Sequence, residues 1–403
     1  MLLQCLKLLT DALKKKGEKK IQYTLKKFKV INMDFKITKE QKMYQDSARD
    51  FFSKEWSFDQ LRESLGGKNL FKKNWEKMAD LGWLALLIDE KYSGIGADFL
   101  DLCPILEEMG RALYPSPFFV SSVIGASVLS LAASDAIKEQ LLPAIANGDL
   151  IVTMGSGQVD TKLPENKSPV TVKKEGKTYT LNGTIMFVPY ADISDYLICR
   201  GEDSSGKATL FLVENKISGI KSSPIATFSV EKYDKIILKN VKIPEENIIG
   251  GEGRADEIIE KLTPLLLSSR CMEMIGGMQR TLDVTVEYLK ARKQFGKPLG
   301  TFQALQHKCA DMAIDVDSSR FIVYKAAWKI SNNMPCRKEA SSAKAWAADA
   351  YQRVTKNALQ AHGATGFTDE YNLHYYYKQA KSLQLMYGGS AYHRDIVADE
   401  MGY

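Results

Sequence analysis

The sequence predicts an α+β protein with an N-terminal α-helical domain, a middle antiparallel β domain and a C-terminal four-helix bundle. Three observations indicate this order. Apolar residues recur at helical spacing across residues 33–148, short β-branched runs fill residues 149–255, and long helical periodicity returns across residues 256–403. The chain has 403 residues, of which 45% are hydrophobic and 26% charged, so it is long enough for more than one packed core.

Residues 1–32 form a basic extension ahead of the predicted domains. They contain nine lysines against Asp11 and Glu18, which accounts for the formal net charge of +6 and leaves the rest of the chain near neutrality. Three interpretations stay open: an upstream segment outside the fold, a solvated basic helix, or an organelle-targeting peptide, which would favour Arg and Ser over Lys. Because few aromatic residues accompany the lysines, the stretch does not predict nucleic-acid binding.

The helical domain is predicted from amphipathic runs such as residues 74–87 and 102–113, the second of which ends at Tyr114-Pro115. The longest apolar stretch, residues 118–133, is interrupted by serines and Gly125, so no membrane-spanning helix is expected. A cytoplasmic protein is predicted, or a mitochondrial matrix protein if the source is eukaryotic. The six cysteines lie far apart without a CxxC pair, which predicts neither a disulfide framework nor a metal site.

The β domain is predicted from short runs rich in β-branched residues. These runs are 151–153, 170–172, 179–181, 196–199, 209–213 and 235–238. Turn signals separate them, at Asn182-Gly183 and at residues 203–206. Four stretches of helical periodicity follow and, because short connections join them, predict the bundle. The stretches are 257–291, 304–332, 337–363 and 371–386.

The segment from Arg292 to Gln303, between the first two bundle helices, is a candidate cofactor site. It offers a guanidinium, amides, the aromatic face of Phe295 and free backbone N–H groups at a helix N-terminus, which together suit a pyrophosphate. No glycine-rich phosphate loop follows a predicted strand, so a nucleotide cofactor would be held in another way. By itself the segment is also typical of an ordinary basic helix end.

Two motifs give this segment a more specific interpretation. The run RKQFGKPLGTFQ, from Arg292 to Gln303, resembles the RxxFGxxxxxxQ element of the acyl-CoA dehydrogenase family. The run QAHGATGF, from Gln360 to Phe367, resembles the family's second flavin element, QxxGGxGF. The resemblance covers residues 33–403 and implies the family's helical, β and helical architecture with a bound FAD.

The resemblance also implies partners for the chain. Acyl-CoA would be the substrate and an electron-transfer flavoprotein the electron acceptor. The chain would form a homodimer or homotetramer, or a heteromer with a paralogue, because the family's FAD site lies between subunits. The residues that would contact FAD are Arg292, Phe295 and Gln303, facing the FAD of a neighbouring subunit, and Gln360, Gly363 and Ala364, completing the site across the interface.

In the β domain, the resemblance places four residues against the isoalloxazine ring: Met154, Gly155, Phe187 and Pro189. This chain departs from the family there. The usual Thr-Glu-Pro run reads Met154-Gly155-Ser156, and the usual Trp-x-Thr run ends in Pro189. Proline has neither a hydroxyl nor an N–H to offer the flavin N5 region, which predicts a flavin held more loosely or by other donors.

Removal of a proton beside a thioester requires a base, and both usual family positions lack one here. The C-terminal turn has Gly388 and the first bundle helix has Leu266. Glu273 remains as the only charge between Arg270 and Arg280 in a strongly apolar helix, on the same stripe as Leu266. A buried carboxylate needs a partner or a function, so Glu273 is the predicted base. Alternatively, it is an ordinary glutamate that pairs with Arg270 or faces solvent.

Gly388 would keep one function of the missing glutamate. In the family, the backbone N–H of that residue also binds the thioester carbonyl, and glycine retains it. The remaining candidates have ordinary interpretations beside functional ones. His307 is an ordinary helix histidine or supports residues that contact the flavin. His374 belongs to an aromatic helix face or a subunit contact, and His393-Arg394 is a surface pair or a contact for a CoA phosphate.

These residues predict an FAD-dependent α,β-dehydrogenation of an acyl-CoA thioester to the trans-2-enoyl-CoA. A second hypothesis is a non-catalytic or half-site partner subunit of a heteromeric enzyme, favoured by the absence of both usual bases. A third keeps the flavin but transfers electrons to oxygen.

Overall fold

The computed structural model of the chain describes residues 36–67, 70–155 and 168–403. The basic stretch 1–32 and Ser156 lie outside these residues, so the interpretations of that stretch stay open. Residues Ile37–Tyr403 form one compact unit. One hydrophobic core runs through both helical regions and a second lies inside the sheet. The domain boundaries at residues 148 and 255 remain predictions within this unit.

The N-terminal region is helical, as predicted. Its first two helices begin at capping boxes. The side chains of Thr38 and Ser57 accept hydrogen bonds from the backbone N–H groups of Gln41 and Gln60, whose side chains accept from the backbone N–H groups of Thr38 and Ser57. A π-helical turn, Phe119–Gly125, precedes the fifth helix. The helices are α1 (Lys39–Glu55), α2 (Phe58–Leu65), α3 (Phe71–Asp80), α4 (Phe99–Ala112), α5 (Ala126–Ala132) and α6 (Asp135–Ala146).

The middle region is an eight-stranded sheet. Its strands are β1 (Val152–Gly155), β2 (Val170–Glu175), β3 (Thr178–Pro189), β4 (Tyr196–Glu202), β5 (Ala208–Glu214), β6 (Ile220–Ile225), β7 (Tyr233–Pro244) and β8 (Ile248–Ile249). Their order is β6-β7-β3-β2-β4-β5-β8, with β1 beside β4. Most pairs are antiparallel, as predicted, but β1 and β2 each pair with β4 in parallel, so the sheet is mixed.

The turn predicted at Asn182-Gly183 is wrong. Both residues lie inside β3, at a register shift against β7. Leu181 pairs with Val241 and Gly183 with Leu238, so Asn182 faces two residues of β7, and the extra residue of this β-bulge belongs to β7. The hairpin turn lies at Gly176 instead, where φ is 61° between β2 and β3. A second register shift in β3 contains Phe187, whose φ of 56° bends the strand near its end.

The C-terminal region contains the four predicted long helices and one more short helix. They are α7 (Ala255–Ala291), α8 (Gln303–Ser331), α9 (Arg337–His362), α10 (Leu373–Leu385) and α11 (Ser390–Met401). A two-stranded hairpin, β9 (Lys293–Gln294) and β10 (Lys297–Pro298), joins α7 to α8. None of the helices in the described ranges is long and apolar enough to cross a membrane.

Helices α4 and α7 approach each other closely where two glycines face the partner backbone. A Cβ on Gly110 would lie 2.0 Å from the Glu273 carbonyl oxygen, and one on Gly276 would lie 1.7 Å from the Glu107 carbonyl oxygen. Neither distance is physically possible, so the contact requires glycine at both positions. This packing buries the middle of α7, where the predicted base lies.

Candidate active site

Glu273 lies in the buried middle of α7 and is paired. The residue is 9% exposed, and Oε2 accepts a hydrogen bond of 2.7 Å from Arg270, which is 1% exposed. Arg270 also donates two bonds of 2.9 Å to Glu231, and its guanidinium lies 3.7 Å from the centre of the Phe119 ring. Glu231, Arg270 and Glu273 are called the buried triad below. Glu273 thus pairs with Arg270, as the alternative interpretation expected.

The pairing does not neutralise the triad, because two carboxylates share one guanidinium. Arg270 gives Glu231 a bidentate contact and Glu273 a single bond, and the Tyr233 hydroxyl donates a further bond of 2.6 Å to Glu231. Burial raises the pKa of Glu273 to about 7, with Arg270 opposing the rise and Glu231 adding to it. A carboxyl group with such a pKa can take up and release a proton near neutral pH.

A narrow cavity of about 20 Å³ borders the triad on its carboxylate side. Glu231 and Glu273 line it together with apolar groups such as Leu113 and Phe119. Tyr351 also lines it, and its buried hydroxyl has no hydrogen-bond partner among the described residues. The cavity therefore places a carboxylate beside mainly apolar walls, an environment in which the charged form is destabilised.

The Gly388 turn, between α10 and α11, has a conformation that requires glycine. Its φ is 98°, and a Cβ there would lie 2.5 Å from Tyr392 Cδ1 and 2.8 Å from His393 Nε2. The missing family glutamate therefore has no room in this turn. The Gly388 N–H has no hydrogen-bond partner within the described ranges and stays available to a ligand.

Tyr387 connects this turn to the triad. Its ring lies 6.2 Å from that of Phe119, and burial raises the pKa of its hydroxyl, opposed by a hydrogen bond to Arg270. Tyr190, just after the end of β3, also lies near the triad. Burial and the Glu231 charge raise the pKa of Tyr190, and the Arg270 charge lowers it. The structure thus brings Glu273, the Gly388 turn and the end of β3 together around Arg270.

The predicted flavin-facing residues of the β domain lie on adjacent strands. Met154 is half-buried and Gly155 is buried on β1, while Phe187 and Pro189 end β3. The Pro189 carbonyl accepts a 2.5 Å hydrogen bond from the Thr153 hydroxyl, which ties β1 to β3. The expectation that a flavin here relies on other donors stays a prediction.

The first flavin motif lies on the surface. Arg292, Phe295 and Gln303 are all exposed, Phe295 by 87%. Phe295-Gly296 forms the turn of the β9–β10 hairpin, with φ values of 55° and 77°. Two successive positive φ angles define a type I′ turn, which places the Phe295 ring at the surface.

The second flavin motif lies beside the first. Gln360, Gly363 and Ala364 are exposed at the end of α9, and Gln360 accepts a 2.9 Å hydrogen bond from Lys308 on α8. Gly363 has a φ of 60°, and nothing lies within 4 Å of the position where a Cβ would be. Open backbone at Gly363 and the Arg292 guanidinium, which has no partner among the described residues, are both groups that suit the pyrophosphate of a dinucleotide such as FAD.

The surface motifs and the triad occupy different parts of the chain. Arg292 follows Glu273 by 19 residues on one helix. At 1.5 Å per residue, the two positions are about 28 Å apart along the axis. The exposed motifs therefore face outward rather than toward the chain's own triad.

The remaining histidines differ in outcome. His307 is exposed, and the His374 ring contacts that of Tyr375 in a tilted arrangement, with 4.0 Å between the ring centres, in the predicted aromatic face. His393 is not a surface residue as expected, because it is 1% exposed and bonds the Tyr387 carbonyl. Arg394 does lie at the surface and pairs with Asp349 at 2.9 Å.

Among the buried charged residues that were not predicted from the sequence, two belong to the candidate site. Glu231 lies in a polar connection before β7, where nothing local distinguishes it. Lys344, which is fully buried in α9, is the only charge in an Ala-rich stretch. A lone charge in an apolar helix is the signal that identified Glu273, so the same signal was present at Lys344.

Comparison with known proteins identifies both helical regions. Residues 38–149 match the family model "Acyl-CoA dehydrogenase, N-terminal domain", and residues 268–402 match "Acyl-CoA dehydrogenase, C-terminal domain". A probable acyl-CoA dehydrogenase of Bacillus subtilis is 28% identical over 92% of this chain and 100% of its own length. The two models flank the β domain on either side.

Solved structures agree with these matches. Butyryl-CoA dehydrogenase from Megasphaera elsdenii superposes with a TM-score of 0.86 at 26% identity, covering 92% of this chain and 100% of that one. A chain of the ChsE4-ChsE5 complex from Mycobacterium tuberculosis superposes with a TM-score of 0.83 at 27% identity, covering 92% and 99%. The predicted fold class and family resemblance are therefore confirmed.

Proposed function

The chain belongs to the acyl-CoA dehydrogenase family of FAD-dependent oxidoreductases, and we propose that it converts an acyl-CoA thioester to the trans-2-enoyl-CoA and passes the electrons to an electron-transfer flavoprotein. The observation that carries the proposal is a buried carboxylate of raised pKa, Glu273, beside a cavity and the Gly388 turn. Bound FAD supplies the acceptor for the hydrogen that leaves the second carbon. The remaining chemistry belongs to the chain's own residues.

Glu273 removes the proton from the carbon beside the thioester carbonyl. When it takes up this proton, Arg270 keeps its bidentate bond to Glu231, so no buried cation is left unpaired. The charge of the triad then changes from −1 to neutral. This arrangement explains how a paired glutamate can still act as a base.

The Gly388 N–H binds the thioester carbonyl while negative charge builds on it. A backbone donor without an internal partner is suited to this task, because it need not break another hydrogen bond first. The same N–H orients the substrate so that its acidic carbon faces Glu273.

A second copy of the chain supplies the outer part of the cofactor site. Arg292, Phe295 and Gln303 are exposed and lie far along α7 from the triad, so they reach a neighbouring subunit's FAD rather than their own. We therefore propose a homodimer or homotetramer.

Anaerobic mixing with acyl-CoA tests the base. Substrate should bleach the visible flavin absorbance of the wild-type protein, and Glu273→Gln should slow bleaching by about 10²- to 10⁴-fold, because the amide cannot accept the proton. Glu287→Gln, an exposed position on the same helix, is the matched control and should bleach at the wild-type rate. Equal rates for Glu273→Gln and the wild type would reject Glu273 as the base.

A partner subunit without its own activity is the second candidate. The lack of a carboxylate at Gly388 and Leu266, together with the likeness to a two-component complex, favours it. Purification of the chain alone distinguishes the two. A yellow, active homo-oligomer excludes the partner role, whereas a colourless chain that takes up FAD only with a paralogue supports it. Peroxide release during turnover would instead indicate an oxidase.

A further inference from the structure

Lys344 is a fully buried cation that holds the loop carrying the Gly388 N–H. It lies in α9, and its ammonium donates to the carbonyls of Leu383 and Gln384 at 3.0 and 3.1 Å and to that of Gly388 at 3.0 Å. An ammonium has three donors, and all three are used. The contacts fix the end of α10 and the turn to a single point.

The burial of this charge is costly, which argues against an incidental contact. Burial lowers the pKa of Lys344 to about 8, and the titratable groups that face it are Cys271 on α7, Asp349 on its own helix and His393 on α11. Only Asp349 is an anion, and it already accepts hydrogen bonds from the Gln384 and Ser390 side chains. Backbone carbonyls therefore provide most of the local compensation.

His393 holds the preceding peptide in the same way. Its Nε2 lies 2.9 Å from the Tyr387 carbonyl, and Nδ1 has no partner within the described part of the chain. Burial lowers the pKa of His393 to about 4, so the ring is neutral. Because a carbonyl only accepts hydrogen bonds, Nε2 carries the proton.

Peptide planarity converts these carbonyl contacts into a direction for the N–H groups. The Tyr387 carbonyl and the Gly388 N–H belong to one planar trans unit, and the Gly388 carbonyl and the Gly389 N–H belong to the next. A donor that holds a carbonyl from one side points the N–H of the same unit to the other side. Two successive glycines would otherwise leave this turn free to rotate.

We propose that Lys344 and His393 are positioning residues that aim the Gly388 and Gly389 N–H groups at the thioester carbonyl of the substrate. The inference rests on the proposed function of the Gly388 turn. Neither side chain touches the substrate, because both lie behind the peptide units that they hold. Both residues act by keeping the donors in one orientation and by polarising their peptides.

Acetoacetyl-CoA is the probe, because its enolate carries the negative oxygen that the N–H groups should stabilise. In the FAD-loaded wild type, binding should lower the pH at which acetoacetyl-CoA ionises. The enolate absorbance of the bound probe measures this ionisation. Lys344→Met should raise that pH by about one unit and lower kcat by about 10- to 100-fold, while Lys344→Arg restores part of both. Retention of FAD and the thermal unfolding midpoint are measured on every variant.

A pH profile adds a readout that a purely structural role would not change. Wild-type kcat should fall above about pH 8 as Lys344 loses its charge, whereas Lys344→Arg should show no such fall because its charge persists. If Lys344→Met does not fold, His393→Leu and His393→Gln carry the test, since only glutamine can still donate to Tyr387.

The outcomes are distinct. A wild type that neither ionises acetoacetyl-CoA nor bleaches with acyl-CoA overturns the proposed function, and this inference with it. Suppose instead that the wild type responds and that the folded Lys344→Met variant, the folded His393→Leu variant or both ionise the probe at the wild-type pH. That result overturns the positioning role alone.

Discussion

The buried triad and the β9–β10 hairpin are both connected to helix α7, but they satisfy their polar groups in opposite ways. Arg270 makes three hydrogen bonds to carboxylates inside the chain, whereas Arg292 has no side-chain partner among the described residues. Phe119 covers the first guanidinium, while Phe295 is left exposed. In the proposed mechanism, the proton-handling part of the site is therefore complete within one chain, whereas the cofactor-binding part would depend on groups from a second copy.

Arg270→Met is expected to have the largest effect on stability. It leaves Glu231 and Glu273 buried without a cation, which should lower the free energy of unfolding by about 3–5 kcal/mol. Urea denaturation of the FAD-free chain measures it. The matched control is Arg254→Met, which breaks an exposed pair with Glu257 and should cost far less. Similar losses in the free energy of unfolding for both variants would mean that the triad stabilises the fold no more than a surface ion pair does.

Arg292→Ala tests the open part of the site. Loss of a charged donor to the pyrophosphate should weaken FAD binding by about 10- to 100-fold, measured by titration of the FAD-free protein. Unfolding of the FAD-free chain should not change, because the side chain is exposed and unpaired. Lys290→Ala, at an exposed position two residues earlier, should leave FAD affinity unchanged. A destabilised Arg292→Ala chain would show that Arg292 stabilises the β9–β10 hairpin through contacts within its own chain.

The same contrast explains what the sequence could predict. Helical periodicity and β-branched runs identified both helical regions and the sheet, because burial against one core leaves a local pattern. Glu273 stood out because an isolated charge in an apolar helix is unusual. Glu231 could not be found in this way, since its partner Arg270 is 39 residues away and only folding brings them together. The turn at Asn182-Gly183 was mispredicted because pairing with β7 overrides the local preference.

The pH dependence of stability provides a smaller test of the triad. The pKa of Glu273 is raised to about 7 in the folded chain, above its unfolded value, so folding favours the protonated form. Stability from this group is full below about pH 4.5 and is lost as the pH rises toward 7, at no more than about 1.4 kcal/mol per pH unit. Glu273→Gln removes the titration and should gain stability relative to the wild type over this range.

Turnover should change in the opposite direction. The base must be ionised to accept a proton, so wild-type flavin reduction should rise with pH through about 7 while the stability contribution of Glu273 declines. Urea titrations and stopped-flow bleaching across the same buffers measure the two trends. If the stability and the rate of flavin reduction both rise with pH, Arg270 holds Glu273 ionised, and the pKa of Glu273 is not raised in the folded chain.

Phe295→Asn is expected to have the smallest effect, and its sign is informative. Phe295 has a φ of 55° in a type I′ turn, a conformation that disfavours a bulky side chain, whereas Asn-Gly is the preferred pair. The variant should stabilise the FAD-free chain by about 0.5–1 kcal/mol even though it loses the edge contact with Phe302. Phe228→Asn, at an exposed position without positive φ, should change stability by less than about 0.5 kcal/mol.

A more stable Phe295→Asn chain with weaker FAD binding or weaker self-association would show that Phe295 is retained for a contact outside its own chain. A less stable chain would mean that the hairpin is built for this protomer alone.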